Sequence, residues 1–269
     1  MRSVVILSVY KNDTLSIVKE TFDSLFSQST QSFDIFVQGD GPLTPNLESY
    51  LDTLYEEKKI KSLHERSENR GLAYSLNELI KRVLALEYEY IFRMDADDIC
   101  SPDRIEHQLD YLDKHPEVDL LGGWIEEFNT DTKERRIVYY PENHNDIFNL
   151  LAKRSPIAHV TVAFRSSFFN KYGLYDVASQ CEDLELWVRA FKKGAKMHNL
   201  QEVLVHVRTN NAFFTRRRNQ KRALELWQIK VTATKQFKLG IKGYLFATAH
   251  YLVWMAPGPI KHFFYKYFR

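Results

Sequence analysis

"YEYIFRMDADD", residues 88–98, runs from strand-forming aromatics and Ile91 into three carboxylates within four positions, Asp95, Asp97 and Asp98. Aromatic and β-branched residues suit a pleated, half-buried surface, so Tyr88 to Met94 is predicted to be a strand. Like charges this close repel and raise one another's pKa unless a cation, an arginine or water lies between them. The turn after the strand therefore needs a partner. Carboxylates at i and i+2 can aim two oxygens at one hard cation, and Mg²⁺ or Mn²⁺ takes one or two protein carboxylates with phosphate oxygens of a substrate. An Asp-rich turn capping the next helix has the same composition, because Asp favours turns and helix N-termini alike.

The neighbouring segments favour the cation. Val4-Val5-Ile6-Leu7 is a continuous apolar run of the kind a strand buried on both faces shows, and Asp13 or Thr14 caps a helical pattern of Leu15, Val18, Phe22, Leu25 and Phe26. Phe33 to Val37 reads as a second strand ending in Gly39-Asp40-Gly41-Pro42, with Leu47, Leu51, Leu54 and Tyr55 marking a second helix. Ile60 to Leu63 is a third strand, and Leu72, Leu76, Leu79, Ile80 and Val83 a third helix. After the fourth strand, Ser101-Pro102 supplies an N-cap and first-turn proline for a helix through Leu109 and Leu112. Four β-α units in a row predict an α/β fold, a doubly wound and mostly parallel sheet. Ligands of such sheets lie outside the carboxyl ends of the strands, where Ser8 to Lys11, Gly39 to Gly41 and Asp95 to Asp98 all fall.

Beyond Gly122-Gly123 the pattern turns mixed, with strands expected over Arg136 to Tyr140 and His159 to Arg165. A helix opens near Glu182-Asp183 and closes at Lys192-Lys193-Gly194, acids first and cations last, as a plain capped helix would. Charge is unevenly distributed. Residues 208–269 hold 13 of the 37 Lys and Arg and one acid, Glu225, although the whole chain is only +2. Such a segment is expected to meet phosphate on a ligand, a nucleic acid or a membrane surface. Its aromatics, interleaved with Lys and Arg, suit an interfacial helix, and equally a helical hairpin packed on the main domain. The uncharged stretch Gly243 to Pro259 contains His250 and is broken by Pro257, so it falls short of the roughly 18–20 apolar residues that span a bilayer. With 269 residues, 44% of them apolar, and two cysteines, the chain builds a core without a disulfide framework. Met1-Arg2-Ser3 leads directly into a strand with no signal peptide, which sets a cytosolic expectation.

Five motifs in order, "VVILSVYKND" (4–13), "QGDGP" (38–42), "ENRGLAYSLN" (68–77), "RMDADDICSPDRIEHQLDYLDKHPEVDLLGG" (93–123) and "QCEDLELWVRAFKKGAK" (180–196), resemble the inverting family 2 glycosyltransferases of GT-A fold. Within that family the chain is similar to bacterial enzymes of O-antigen and surface polysaccharide synthesis, over roughly residues 3–218. The resemblance implies a Rossmann-like GT-A domain over 1–222, with a nucleotide-binding half at 1–121 and a mixed acceptor-side half at 122–222. A basic helical extension, 223–269, would follow as a possible membrane-surface anchor. By the same resemblance Asp95 and Asp97 hold Mn²⁺ or Mg²⁺ against the donor diphosphate, while Ser8, Tyr10 and Asp40 cradle uracil and ribose. Gly39 stands where the family often has a further acid. Arg70 is the nucleotide-contacting cation, Arg208 and Arg216 reach the pyrophosphate, and His206 lies in the same stretch. Asp183 becomes the general base with Glu182 orienting it, and His159 and Trp187 line the acceptor side.

The implied reaction moves a hexose, glucose or galactose, from a UDP-sugar to a polyprenyl-diphosphate-linked N-acetylhexosamine at the cytoplasmic face of the inner membrane, with no nucleic acid involved. Three rivals remain at this point. A phosphohydrolase with an Asp-x-Asp would place it after the first strand of its core, and here three β-α units precede it. A sugar nucleotidyltransferase would want a Gly-rich loop after the first strand, and "SVYKND" has no glycine. A non-catalytic lipid- or nucleic-acid-binding protein would use the basic segment alone.

Overall fold

Strand β1 (Ser3–Val9) sends Val4 and Ile6 into one apolar layer and Val5, Leu7 and Val9 into the other. Side chains alternate across a strand, so a run that is apolar at every position must be covered on both faces. The coverings come from α1 (Leu15–Phe26) and α2 (Pro45–Glu56) on one face and α3 (Leu72–Ala85) on the other. The structure, a computed structural model, describes residues 2–151, 153–210 and 220–255.

Strands β2 (Phe33–Gly39), β3 (Ser62–Glu65) and β4 (Tyr90–Arg93) join β1 in the order β3-β2-β1-β4, every pair parallel. The doubly wound half is as expected, with the third strand two residues later than its apolar run. β5 (Ile99–Cys100) and α4 (Arg104–Lys114) follow, then β6 (Leu120–Asn129), β7 (Arg135–Val138), β8 (Ala163–Arg165) and β9 (Met197–Thr209). The sheet continues β4-β8-β6-β9-β5, antiparallel at β4–β8, β8–β6 and β9–β5 and parallel at β6–β9, with β7 on β6. This is the mixed half. The β6–β9 pairing changes register around Trp124, and a Cβ on Gly123 would lie 2.4 Å from Leu204 Cδ1, so a larger residue there would have to displace the buried Leu204 side chain.

Two expected boundaries move. The helix after the acidic turn starts at Arg104 with Asp103 at the N-cap position, while Ser101 is drawn toward β9, its hydroxyl donating to Val203 O at 2.7 Å and its N–H to Leu204 O at 3.0 Å. The strand expected from His159 opens instead as a 3-10 turn over His159–Thr161, closed by Thr161 N–H on Ala158 O at 3.0 Å, and only Ala163–Arg165 is extended. The short helices α5 (His144–Leu150) and α6 (Ser167–Tyr172) precede α7 (Glu182–Lys192), whose Leu184, Leu186 and Trp187 are buried against Phe164 and Phe168. Fully burying such a side chain contributes about 1.5–3 kcal/mol.

The chain closes with a hairpin of α8 (Gln220–Gln236) and α9 (Gly240–Met255). α8 seats Ala233, Leu226 and Ile229 on the core, joined by Phe237 just past its end. Its buried Lys230 donates to Lys153 O at 2.6 Å and places Nζ 2.9 Å from His250 Nδ1 on α9, and Trp254 Nε1 donates to His250 Nε2 at 3.0 Å. α9 buries only Gly243 and Ala247, and a Cβ on Gly243 would meet Thr234 Cγ2 at 2.5 Å. Its large apolar side chains face outward, with Ile241 76%, Leu245 63% and Leu252 61% exposed. Among the described residues no helix is long and apolar enough to cross a membrane.

Candidate active site

The parallel register brings three strand ends to one edge. Asp40 N–H bonds Val9 O at 2.8 Å and Met94 N–H bonds Ile6 O at 3.1 Å, so Tyr10, Asp40 and Asp95 begin turns side by side. At the first turn, Tyr10 and Asp13 close on each other through Tyr10 N–H to Asp13 Oδ2 and Asp13 N–H to Tyr10 O, both 2.9 Å. Burial pushes the Asp13 carboxyl up to about 7, with the Asp97 and Asp95 charges adding to it against the Tyr10 N–H. Asp13, read from sequence only as a helix cap, thus faces the acidic turn. Ser8 is partly buried on the same strand and the Tyr10 ring is exposed.

At the second turn the buried Asp40 accepts from Arg66 Nη2, from Arg70 N–H at 2.8 Å and from Gly71 N–H at 2.9 Å. Two carboxylate oxygens offer about four lone-pair directions, so one remains for a ligand. The cation held on Asp40 is therefore Arg66, which also reaches Ser75 Oγ at 2.6 Å and Glu78 at 2.9 Å. Arg70, expected as the nucleotide-contacting cation, gives Asp40 its backbone N–H, while its exposed side chain bonds Glu68 at 2.8 Å and Tyr74 OH at 2.6 Å. Sequence offers two arginines in this loop and no means of choosing between them.

At the third turn Asp95, Asp97 and Asp98 each bring an oxygen within 4.8 Å of the others. Three aspartates make an all-oxygen donor set, which fits a hard divalent cation such as Mg²⁺ or Mn²⁺. Asp95 also pairs with Arg93 Nη2, two residues back on the same face of β4. Asp98 is buried and accepts Arg208 N–H at 2.8 Å, so it anchors the turn, while Asp97 is exposed. Although the Asp97 residue is exposed at the surface, the protein crowded around its carboxyl strips enough water to raise it to about 6, and burial raises the Asp98 carboxyl well above the usual range, with neighbouring aspartates adding to both. The turn's backbone is held as well. The Thr21 hydroxyl lies 2.9 Å from Ala96 O and 2.8 Å from Asp98 O, and Arg208 Nε donates to Asp97 O at 3.1 Å. His206 lies outside this cluster, with Nδ1 2.8 Å from Glu126 Oε2. Arg216 to Arg218 lie outside the described residues.

Opposite stands the first turn of α7. Burial pushes the Glu182 carboxyl up to about 7, Asp183 adding to it while its own N–H, Arg222 and Arg93 oppose. Arg93 joins the two walls, because its charge acts on Asp95, Asp98, Glu182 and His159 together. His159 shares a proton with Tyr175 at 2.8 Å, and burial followed by Arg93 holds it neutral, well below the usual imidazole range. Trp187 is a correction to the acceptor-side expectation. Its ring is fully buried, centred 6.0 Å from Phe164 and 5.9 Å from His159, so it supports the site from beneath.

The chain matches the family described as Glycosyl transferase family 2 over residues 4–173, and Glycosyl transferase family group 2 over residues 90–260. It is 36% identical over 248 residues, 91% of this chain and 89% of the other, to a Haemophilus influenzae protein named as an uncharacterized glycosyltransferase. It is 29% identical to the amylovoran biosynthesis glycosyltransferase AmsE of Erwinia amylovora, covering 97% of both. To the UDP-Gal:alpha-D-GlcNAc-diphosphoundecaprenol beta-1,3-galactosyltransferase of Escherichia coli it is 28% identical, covering 82% of this chain and 78% of that one. Among solved structures, the mannosyltransferase PcManGT of Pyrobaculum calidifontis in complex with GDP-Man and Mn²⁺ superposes with a TM-score of 0.64 at 17% identity, over 98% of this chain and 78% of that one. S. aureus TarS superposes with a TM-score of 0.62 at 16% identity over 97% of this chain, which spans 50% of the TarS chain. With the family model matched over more than half of its length and the fold shared with these structures, the chain belongs to glycosyl transferase family 2 and has the GT-A fold.

Proposed function

We propose that this enzyme transfers a hexose, glucose or galactose, from a UDP-sugar to a polyprenyl-diphosphate-linked N-acetylhexosamine, inverting the anomeric centre, in the assembly of a bacterial surface polysaccharide. The observation that carries this reading is the Asp95, Asp97 and Asp98 cluster, lying between the Asp40–Arg66 turn and the Glu182–Asp183 turn. The name of the Escherichia coli relative, with its UDP-Gal donor and diphosphoundecaprenol-linked GlcNAc, supports the choice of donor and acceptor.

A divalent cation on Asp95 and Asp97 would neutralise charge on the departing diphosphate. The protein's own groups do the rest. Tyr10, Ser8 and Asp40 seat the nucleoside, and Arg208 faces the diphosphate side, with Arg216 assigned there from sequence. Asp183 accepts the proton of the acceptor hydroxyl as that oxygen bonds the anomeric carbon and the UDP oxygen leaves with the electron pair, so an α-linked donor gives a β-linked product. Glu182 and His159 orient the pair and the acceptor. The outward apolar face of α9, beside Lys235, Lys238 and Lys242, supports apposition to an anionic inner-membrane surface where a lipid-linked acceptor resides.

The test is a donor screen reading UDP release with Mn²⁺ or Mg²⁺ and a GlcNAc- or GalNAc-diphosphate-lipid mimic. Release with UDP-glucose or UDP-galactose, lost in Asp97→Ala and Asp183→Ala, is expected. Full turnover by Asp183→Ala would overturn the base assignment, and turnover with GDP-mannose alone the donor assignment.

A further inference from the structure

Glu225 is the single acid of the basic C-terminal segment, and it turns toward the catalytic half. Ser179 Oγ donates to Glu225 Oε1 at 2.5 Å, and Gln180 N–H lies 3.2 Å from Oε1 and 3.0 Å from Oε2. The Ser179 oxygen accepts Cys181 N–H at 3.0 Å, and Cys181 Sγ lies 3.8 Å from Arg222 O on the first turn of α8. Cys181 is the N-cap of α7 and its own side chain caps nothing. The donors immediately ahead of Glu182 are therefore satisfied from another helix, directly by the Glu225 carboxylate and through the serine it holds. Hydrogen bonds to an ionised acceptor are roughly twice as strong as neutral ones. Arg222, three residues before Glu225, also lends its charge to Glu182.

We infer that Glu225 is a positioning residue for the Glu182–Asp183 pair, fixing through Ser179 and Gln180 the angle at which α7 delivers its first-turn carboxylates. The inference rests on the reading of that pair as the acceptor-side base. It also makes the seating of the α8–α9 hairpin part of the catalytic geometry, since the helix that carries Glu225 is bolted to α9 through Lys230 and His250.

The experiment compares Glu225→Ala, Glu225→Gln, Asp183→Asn and Glu182→Gln in the full chain. It reads kcat and donor KM with the donor and acceptor that release UDP, calorimetric UDP–Mn²⁺ binding, and hydrogen exchange over residues 179–186. Displacing a reacting group by about 1 Å can cost up to about a hundredfold, so Glu225→Ala is expected to lower kcat by roughly tenfold or more. Donor KM and UDP–Mn²⁺ stoichiometry should stay at wild-type values while amides 179–186 exchange faster. Glu225→Gln, which keeps an acceptor for Gln180, should recover most of the rate. Wild-type kcat in Glu225→Ala overturns the inference, as does a loss of UDP–Mn²⁺ stoichiometry that matches the loss of kcat. Wild-type kcat in both Asp183→Asn and Glu182→Gln instead overturns the reading of the pair.

Discussion

A guanidinium cut off from water keeps its charge only among acceptors and anions, and Arg93 is such a case. Burial disfavours its charge, yet Asp95, Tyr175 and Asp98 more than offset that and raise its pKa. Removing one partner of a buried charge pair is far costlier than the pair's net worth. Arg93→Met should therefore destabilise the fold by about 3 kcal/mol in urea titrations and weaken UDP–Mn²⁺ binding, with Arg93→Lys intermediate. Glu182 carries a pH prediction. Its carboxyl is pushed up to about 7, and in the proposed mechanism it is the ionised Glu182 that orients Asp183 and the acceptor, so transfer should rise with pH through that value. In Glu182→Gln that limb should vanish from the kcat profile. The places of Asp95 and Asp97 after β4 and of Glu182 and Asp183 in the first turn of α7 were legible, because strand and helix patterns fix where an element ends or starts. Arg93 and Arg66 were not. An arginine's role depends on the partner folding brings to it, and Asp40 lies 26 residues from Arg66.

Among the elements, the first four strands and three helices follow directly from apolar runs and helical spacing, with boundary shifts of one or two residues. α5, α6 and the 3-10 turn at His159 escaped notice, since pieces this short carry little periodicity and are set by contacts distant in sequence. β9 escaped for another reason. It pairs on both sides along part of its length, so its polar residues find partners in neighbouring strands. The hairpin gives a second pH prediction. Burial, opposed only weakly by Cys181, brings Lys230 down to about 7 from an ordinary 10.5, and burial with the Lys230 charge beside it brings His250 down to about 3 from 6.5. In each window the unfolded chain binds the additional proton, so stability rises as pH increases from 7 toward 10.5 and falls as pH drops from 6.5 toward 3. Hydrogen exchange of the described parts of α8 and α9 should slow on raising pH from 7 to 10, after correction for intrinsic rates. Lys230→Met should remove that part of the dependence.

For the molecule as a whole, charge and topology divide the labour. An acidic α/β body carries the site, and a basic hairpin presents apolar residues outward from its surface. The division of charge was legible from residue counts alone, whereas the reversed packing of α9, small residues in and large ones out, required the helices to be placed. The protein should sediment with vesicles containing anionic lipid and release from them as salt is raised. Ile241→Glu with Leu245→Glu should abolish sedimentation and leave UDP–Mn²⁺ binding unchanged; vesicle binding by that double variant would assign the contact to another surface.

The acidic turn is gripped before anything arrives in it: Thr21 takes two of its carbonyls, Arg208 a third, and the Asp98 carboxylate is tied to β9. A backbone held in this way would limit how far the turn could widen around the divalent ion proposed for Asp95 and Asp97. Compact ions such as Mg²⁺, bound at about 2.0–2.1 Å, should therefore be preferred over Ca²⁺, which takes six to eight oxygens at about 2.3–2.6 Å. Because little backbone has to order around the ion, its capture should occur with small loss of chain entropy and a correspondingly small heat-capacity change.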